Sequence, residues 1–197
     1  MDFVNIAKSA KEASLKAADL SEDIKNKALL KMADALERAK EDIFNANKAD
    51  LAEAEKLVDA GEITKSTFNR LKLDDNKMRD MIKGIRDIAS LPEPVNKKLF
   101  VRELDEGLTL YKVSCPIGVL GIIFEARPDV IAQISSLAIK SSNSVILKGG
   151  KASINTNKKI LEIINSTLEK IEEFPKNVLQ QVFSREDAVS YTHLTLP

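Results

Sequence analysis

The chain has 197 residues, of which 30 are basic and 30 are acidic, so its formal net charge is zero at neutral pH. This balance predicts no nucleic-acid partner, and no apolar run approaches the ~20 residues that cross a bilayer. The first residues lack the basic start and apolar core of a signal peptide. The single cysteine excludes an internal disulfide, which fits a reducing compartment. We therefore expect a cytoplasmic protein with no membrane partner and with one large or two small domains.

Residues 1–96 are predicted to form an N-terminal helical region. Apolar residues recur at helical spacing over 23–44, and Ser21 is the natural N-cap of that helix. Residues 45–47 are predicted to break the pattern, because two of them are asparagine. A short helix should follow and end at Gly61.

A second clear stripe of methionine, isoleucine and alanine runs over 78–89 and predicts another helix, capped by Asp74 or Asp75. Methionines at such spacing could line a ligand groove. A core face is the better interpretation, since methionine commonly fills irregular gaps in a core.

Residues 97–114 are predicted to form a β-hairpin. Two short apolar segments, 99–104 and 108–113, flank a loop that contains Gly107. An isolated two-stranded ribbon is marginally stable. We therefore expect this hairpin to pack against another surface, in this chain or in a second one.

From residue 115 the pattern changes to alternating strands and helices, which predicts an α/β fold with a parallel sheet over 115–188. The predicted order is strand, helix, strand, helix, strand, over residues 117–124, 128–140, 144–148, 153–172 and 178–183. The first two strands are unbroken apolar runs, as expected for strands buried on both faces.

Both of these strands end at charged residues accompanied by proline or glycine. Residues 116–129 read PIGVLGIIFEARPD and residues 144–151 read SVILKGGK. Ligands of parallel sheets bind outside the carboxyl ends of the strands. The two segments therefore predict one binding site. Gly118 and Gly121 lie within the predicted strand rather than in a loop after it, so they do not form a dinucleotide fingerprint; packing and proximity to a cofactor both remain open for them.

The two segments together resemble the glutamate-5-semialdehyde dehydrogenase (gamma-glutamyl phosphate reductase) family of the aldehyde dehydrogenase superfamily. The resemblance extends over about residues 6–188. One departure is Ser142, where the family usually has glycine, and this change is expected to stiffen the turn before the second strand. The alternatives are a non-catalytic nucleotide-binding fragment and a related aldehyde or acyl-CoA dehydrogenase.

The resemblance implies NADPH-dependent reduction of L-glutamyl 5-phosphate to the semialdehyde, a step in proline synthesis, through a thioester on a cysteine. That cysteine would lie downstream of this chain, so no catalytic residue is assigned here and the fragment is expected to be inactive. The resemblance also implies a subunit contact through the 97–114 hairpin, and hence a homo-oligomer. No metal site is predicted.

Four residues after the first strand are the candidate substrate contacts: Glu125, Arg127, Pro128 and Asp129. A charge cluster that merely begins a helix is the alternative. Arginine is well suited to hold a carboxylate or phosphate through two parallel bonds, and the resemblance places this segment beside the substrate and the nicotinamide.

Four residues after the second strand are the candidate NADP contacts: Lys148, Gly149, Gly150 and Lys151. Glycines allow a ligand to approach the backbone closely, and amides at a helix start favour anions. The resemblance assigns Lys148 to the adenosine side of NADP, including its 2′-phosphate. A plain strand-to-helix turn is the alternative.

Cys115 precedes the first strand, whereas the ligand edge follows it. About ten residues at ~3.3 Å each separate the two ends by up to ~30 Å. We therefore predict that Cys115 is not the nucleophile but a buried apolar side chain.

The last residues, 189–197, read VSYTHLTLP and depart from the family pattern. We interpret them as a tail derived from a sequencing adapter, the alternative being a divergent natural end. Segments of such origin are excluded from fold reasoning. This excludes His193, the only histidine, as a catalytic candidate.

Overall fold

The computed structural model describes residues 3–183, so the predicted tail and His193 lie outside the described residues. The N-terminal part is helical, as predicted, and a two-stranded antiparallel hairpin follows it. Its elements are α1 (Phe3–Ala18), α2 (Glu22–Arg38), α3 (Lys40–Asp59), α4 (Lys65–Leu71), α5 (Asp75–Ser90), β1 (Lys98–Asp105) and β2 (Leu108–Val113).

The remaining described residues form a parallel α/β unit, again as predicted. Its sheet has three strands within residues 3–183, in the order β3-β4-β5. The elements are β3 (Val119–Ile123), α6 (Val130–Lys140), β4 (Ser144–Lys148), a 3-10 turn (Lys151–Ser153), α7 (Ile154–Leu168) and β5 (Leu179–Val182).

The central strand β4 is covered on both faces. Val145 and Leu147 belong to the main core, which α2, α5, α6 and α7 also line. Ile146 points to the opposite face, where it packs with Phe3 and Ile6 of α1. The alternation follows from the two-residue side-chain period of a strand. The N-terminal helices therefore support the sheet directly.

Strand β3 differs from the prediction that it is buried on both faces. It lies at the edge of the described sheet, and Ile123 is 65% exposed. Gly118 precedes the strand rather than lying within it. An apolar run predicts a strand of this kind, but its place in the sheet depends on which strands pair.

The predicted helix break at residues 45–47 is wrong, because the chain bends at Ala39 and α3 continues through that segment. Asn47 is buried and is used for tertiary contacts. Its Nδ2 donates to the Leu71 carbonyl at 2.9 Å, and its Oδ1 accepts from the Leu73 amide at 3.0 Å. These bonds outweigh the weak helix propensity of asparagine.

The predicted caps and the methionine stripe are confirmed. Ser21 Oγ accepts from the Ile24 amide at 3.3 Å, and Asp74 Oδ1 accepts from the Lys77 amide at 2.9 Å. Met78 and Met81 of α5 are buried in the main core.

Among the described residues, no helix has both the length and the apolar character that a membrane crossing needs.

The hairpin has the predicted strands and loop. Its large apolar side chains are about half exposed on both faces; they are Leu99, Phe100, Val101, Leu104, Leu108, Leu110, Tyr111 and Val113. Within residues 3–183 no other element packs extensively on it. The expectation that it packs on another surface is therefore not met by the described residues of this chain.

Candidate functional site

The two charged segments lie at the same edge of the sheet. Strands β3 and β4 are parallel neighbours, and Ile123 is paired with Lys148. One residue further on, the Phe124 amide donates to the Lys148 carbonyl at 3.0 Å. The structure thus brings residues 125–129 next to residues 148–151. We call residues 148–151 the lysine turn.

In the lysine turn, Gly149 leaves no room for a side chain, whereas a side chain at Gly150 would make ordinary contacts. A Cβ atom at Gly149 would overlap Asn157 Nδ2 and would lie 3.3 Å from Phe124 Cζ. A Cβ atom at Gly150 would lie 3.4 Å from Glu125 Cα. The close approach that Gly149 allows is therefore to α7 and to Phe124, not to open space.

The two lysines of this turn have no acidic partner among the described residues. Lys148 is half-buried and Lys151 is exposed. Within residues 3–183 neither ammonium group forms an ion pair or a side-chain hydrogen bond. Two unpaired cations at the carboxyl end of a parallel strand can receive an anionic ligand.

Two amides at the start of α7 already have a partner within the protein, which reduces the number of helix-start amides that could hold an anion. Asp50 of α3 accepts hydrogen bonds there from the amides of Asn155 and Thr156, at 3.0 and 2.8 Å. It also accepts from their side chains, Asn155 Nδ2 at 2.9 Å and Thr156 Oγ1 at 2.6 Å. A carboxylate of the protein itself thus occupies the position that the helix dipole favours for an anion.

Sequence reasoning missed Asp50, although a signal for it exists. The buried residues of α3 are Ile43, Asn47, Asp50 and Ala54. They recur at intervals of four, three and four, which is the period of one helix face. Two polar members on such a face indicate buried hydrogen-bonding roles, but their partners more than 100 positions away in the chain cannot be read from the pattern.

Asn157 is a further buried polar residue beside the lysine turn. It is fully buried, and its Nδ2 donates to Ser153 Oγ at 3.0 Å. Its Oδ1 has no hydrogen-bond partner in the described part of the chain. Since Asn157 also fills the space beside Gly149, it constrains the shape of the turn from the side of α7.

The segment after β3 is held by its apolar members and exposes its charged ones. Ala126, with a φ of 51°, is buried in a small cluster with Ala54 and Leu71. Pro128 is also buried, whereas Glu125 and Arg127 are exposed. The anchored backbone therefore directs two charged side chains away from the core.

Arg127 has only a loose internal partner. Its Nη2 lies 3.4 Å from Asp129 Oδ2, and more than half of the Arg127 side chain is exposed. Asp129 makes no side-chain cap for α6, which begins at Val130. The guanidinium group remains able to form a bidentate contact with a carboxylate or phosphate.

The prediction that Cys115 is buried is wrong, because its side chain is exposed. The residue lies in the connection between the hairpin and β3, where the described residues offer no apolar surface to cover it. It still lies on the amino-terminal side of β3, and the lysine turn is at the carboxyl end of the neighbouring parallel strand. The length of β3 therefore separates the thiol from the candidate site.

Comparison with known proteins gives a consistent family. No family model matches the chain. Gamma-glutamyl phosphate reductase of Brachyspira hyodysenteriae is 57% identical over 187 residues, which is 95% of this chain and 43% of the relative. The protein of the same name from Methanosarcina acetivorans is 43% identical, over 94% of this chain and 41% of the relative. The chain thus spans less than half the length of these relatives.

Solved structures agree with this assignment. Gamma-glutamyl phosphate reductase of Saccharomyces cerevisiae superposes with a TM-score of 0.88 at 40% identity, over 94% of this chain and 47% of that one. The Thermotoga maritima protein gives 0.85 at 32% identity, over 92% and 43%. A probable aldehyde dehydrogenase from Listeria monocytogenes shares the fold, with a TM-score of 0.67 at 17% identity over 94% of this chain and 38% of that one. The chain belongs to the gamma-glutamyl phosphate reductase family and has an aldehyde-dehydrogenase-type fold, as its two motifs predicted.

Proposed function

We propose that the whole protein reduces L-glutamyl 5-phosphate to L-glutamate 5-semialdehyde with NADPH, in proline biosynthesis. The observation that carries this proposal is the 57% identity to a protein of that name over 95% of the chain. The pairing of the two charged segments at one sheet edge supports it. This chain would supply nucleotide and substrate contacts, while the nucleophilic cysteine would come from sequence beyond it. We also propose a cytoplasmic location.

Lys148 and Lys151 are proposed to hold NADP. The fit rests on two ammonium groups that have no acidic partner among the described residues. Their charge suits the phosphates of the nucleotide, including the 2′-phosphate that distinguishes NADP from NAD. When bound, NADPH supplies the hydride. Gly149 contributes by letting the turn pack against Phe124 and Asn157, which fixes the backbone position of the two lysines.

Arg127 is proposed to bind a carboxylate or phosphate of the substrate. Its guanidinium is exposed and only weakly held by Asp129. Ala126 and Pro128 are buried on either side of it, so its backbone position is fixed. Glu125 and Asp129 would complete the polar surface that faces the substrate.

The hairpin is proposed to join two or more copies of the protein. Its exposed side chains include Leu110 and Tyr111, at 49% and 48% exposure. Apolar surface of this extent, on a ribbon on which no other described element packs extensively, is a common mark of a protein interface. Sedimentation of the chain with and without Leu110→Lys and Val101→Lys tests this, and a species of unchanged size would exclude the hairpin as the contact.

The reaction is tested with a chimera in which this chain replaces the matching 43% of the Brachyspira relative. Activity is followed in reverse, as NADPH formation from the semialdehyde, phosphate and NADP. We expect turnover comparable to that of the relative, and loss of turnover on Arg127→Ala. A chimera that binds NADPH but has no turnover would instead indicate that this chain is only a nucleotide-binding module.

A further inference from the structure

We propose that Asp50 is a positioning residue, which acts from the helical region to fix the shape of the lysine turn. The inference rests on the proposed function, in which that turn contacts the nucleotide. Asp50 itself lies on α3 and is 2% exposed. It would therefore act through α7 rather than by touching the ligand.

Asp50 accepts four hydrogen bonds from two neighbouring residues of α7. Its two carboxylate oxygens accept from the amides and the side chains of Asn155 and Thr156. No lysine or arginine within residues 3–183 forms an ion pair with it. The charge is therefore balanced by charge-assisted hydrogen bonds and by the helix start.

These bonds control the direction in which the chain leaves the lysine turn. The turn passes into the 3-10 turn Lys151–Ser153, which is held by a weak bond from the Ser153 amide to the Gly150 carbonyl at 3.4 Å. Asn155, the second residue of α7, lies two positions after this turn. Because this connection has little support of its own, the bonds to Asp50 fix where it joins α7.

A second tie strengthens the same junction. Asn47 Nδ2 donates to Thr156 Oγ1 at 3.2 Å, and the same nitrogen bonds the Leu71 carbonyl. Asn157 then brings the first turn of α7 against Gly149. The helical region thus holds α7 at two consecutive residues, Asn155 and Thr156, and the next residue, Asn157, packs against the turn that carries Lys148.

Removing the carboxylate would leave two amides of α7 without their partner, and the first turn of the helix would open more often. Lys148 and Lys151 would then be ordered only when the nucleotide binds. Ordering a mobile segment on binding reduces affinity. Asp50 is therefore expected to influence nucleotide affinity without contacting the nucleotide.

The test is Asp50→Asn in the 197-residue chain, read by hydrogen–deuterium exchange without ligand. The substitution keeps the shape, but whichever way the amide is turned, its NH2 group faces the donors of Asn155 or Thr156. Glu53→Gln, on the same helix and exposed, is the charge control. Ile43→Val, in the core of the same helix, is the stability control.

We expect exchange over residues 149–157 to rise about tenfold or more in Asp50→Asn, with about twofold or smaller changes elsewhere in that variant and throughout Glu53→Gln. Ile43→Val should instead raise exchange evenly along the chain, because it lowers the global stability. In Asp50→Asn, a uniform rise over the whole chain, or none, would overturn the proposal. If Asp50→Asn does not fold, Asn155→Ala removes one of the same bonds at an exposed residue. It should give a smaller rise confined to the same segment, and no local rise would count against the proposal.

NADPH titration of the same variants supplies the second readout. Affinity should fall about tenfold in Asp50→Asn and stay unchanged in Glu53→Gln and Ile43→Val, at a temperature where all are fully folded. An equal fall in Ile43→Val would show a general stability effect and overturn the positioning role. If the unmodified chain binds no NADPH, the cofactor assignment in the proposed function fails, whereas the exchange result still decides the role of Asp50.

Discussion

Lys25 of α2 donates a hydrogen bond to Ser142, and the two atoms, Nζ and Oγ, lie 3.1 Å apart. Ser142 ends the turn between α6 and β4 with a φ of 57°, in the left-handed region that favours glycine. The Ser142 hydroxyl therefore accepts a hydrogen bond from a buried lysine, although the left-handed backbone conformation at this position is unfavourable for serine.

Substitutions at Ser142 should separate these two effects. Ser142→Ala removes the bond and keeps the backbone strain, so we expect a loss of about 1 kcal/mol. Ser142→Gly removes the same bond but relieves about 1 kcal/mol of left-handed strain, so its stability should be near that of the unmodified chain. Urea unfolding measures both. If Ser142→Ala were as stable as Ser142→Gly, glycine would relieve no backbone strain at position 142.

The buried pair formed by Lys25 and Glu93 gives a second prediction. The Lys25 Nζ and Glu93 Oε1 atoms are 2.7 Å apart, and the two side chains are 2% and 10% exposed. Lys25→Met would leave the carboxylate buried without its partner, which typically costs about 3 kcal/mol or more. Adding Glu93→Met should recover part of that loss. Urea unfolding of Lys25→Met, of Glu93→Met and of the double variant gives the coupling free energy of the two side chains. Strictly additive losses of stability would argue against a buried pair.

Lys148→Ala tests the cofactor assignment. If the ammonium group contacts the 2′-phosphate, its removal should weaken NADPH binding by about tenfold or more, since charge-assisted bonds of this kind are strong. NADH binding should change much less, because NADH has no such phosphate. Lys170→Ala, at an exposed residue after α7, is the matched control. Equal affinity for NADPH in the unmodified chain and in Lys148→Ala would remove Lys148 from the site.

Gly149→Ala tests the packing of the lysine turn. The added methyl group would overlap the Asn157 amide and crowd the Phe124 ring. Overpacking of this type usually costs about 1–3 kcal/mol. We expect thermal unfolding at a lower temperature, and partial recovery when Asn157→Ala is added to make room. Full stability of the single variant would mean that the turn can shift without loss, and that this glycine has another role.

The sequence predicted those features whose cause is local. The methionine stripe of α5, the caps at Ser21 and Asp74, and the buried strand β4 follow from side-chain period and capping chemistry. Features that depend on pairing across the chain were not predictable. The exposed face of β3 is one, because edge position is a property of the whole sheet.

Asn47 and Asp50 show the same limit within the helical region. Local propensity favours a break at asparagine, yet Asn47 lies inside a helix because its amide bonds the loop at Leu71 and Leu73. Asp50 has its partners in α7. The two charged segments, by contrast, could be placed at one edge from sequence, since the carboxyl ends of parallel strands coincide.

Cys115 gives the last prediction. Its thiol is exposed in the described chain, so a thiol reagent should modify it in the folded protein at a rate close to that of the unfolded chain. Cys115→Ser should leave NADPH affinity unchanged, because β3 separates the residue from the lysine turn. Protection of the thiol that disappears on dilution would instead place Cys115 in a contact between copies, beside the hairpin that it follows. Protection that is independent of concentration would contradict the exposed position, and a loss of NADPH affinity in Cys115→Ser would contradict its separation from the site.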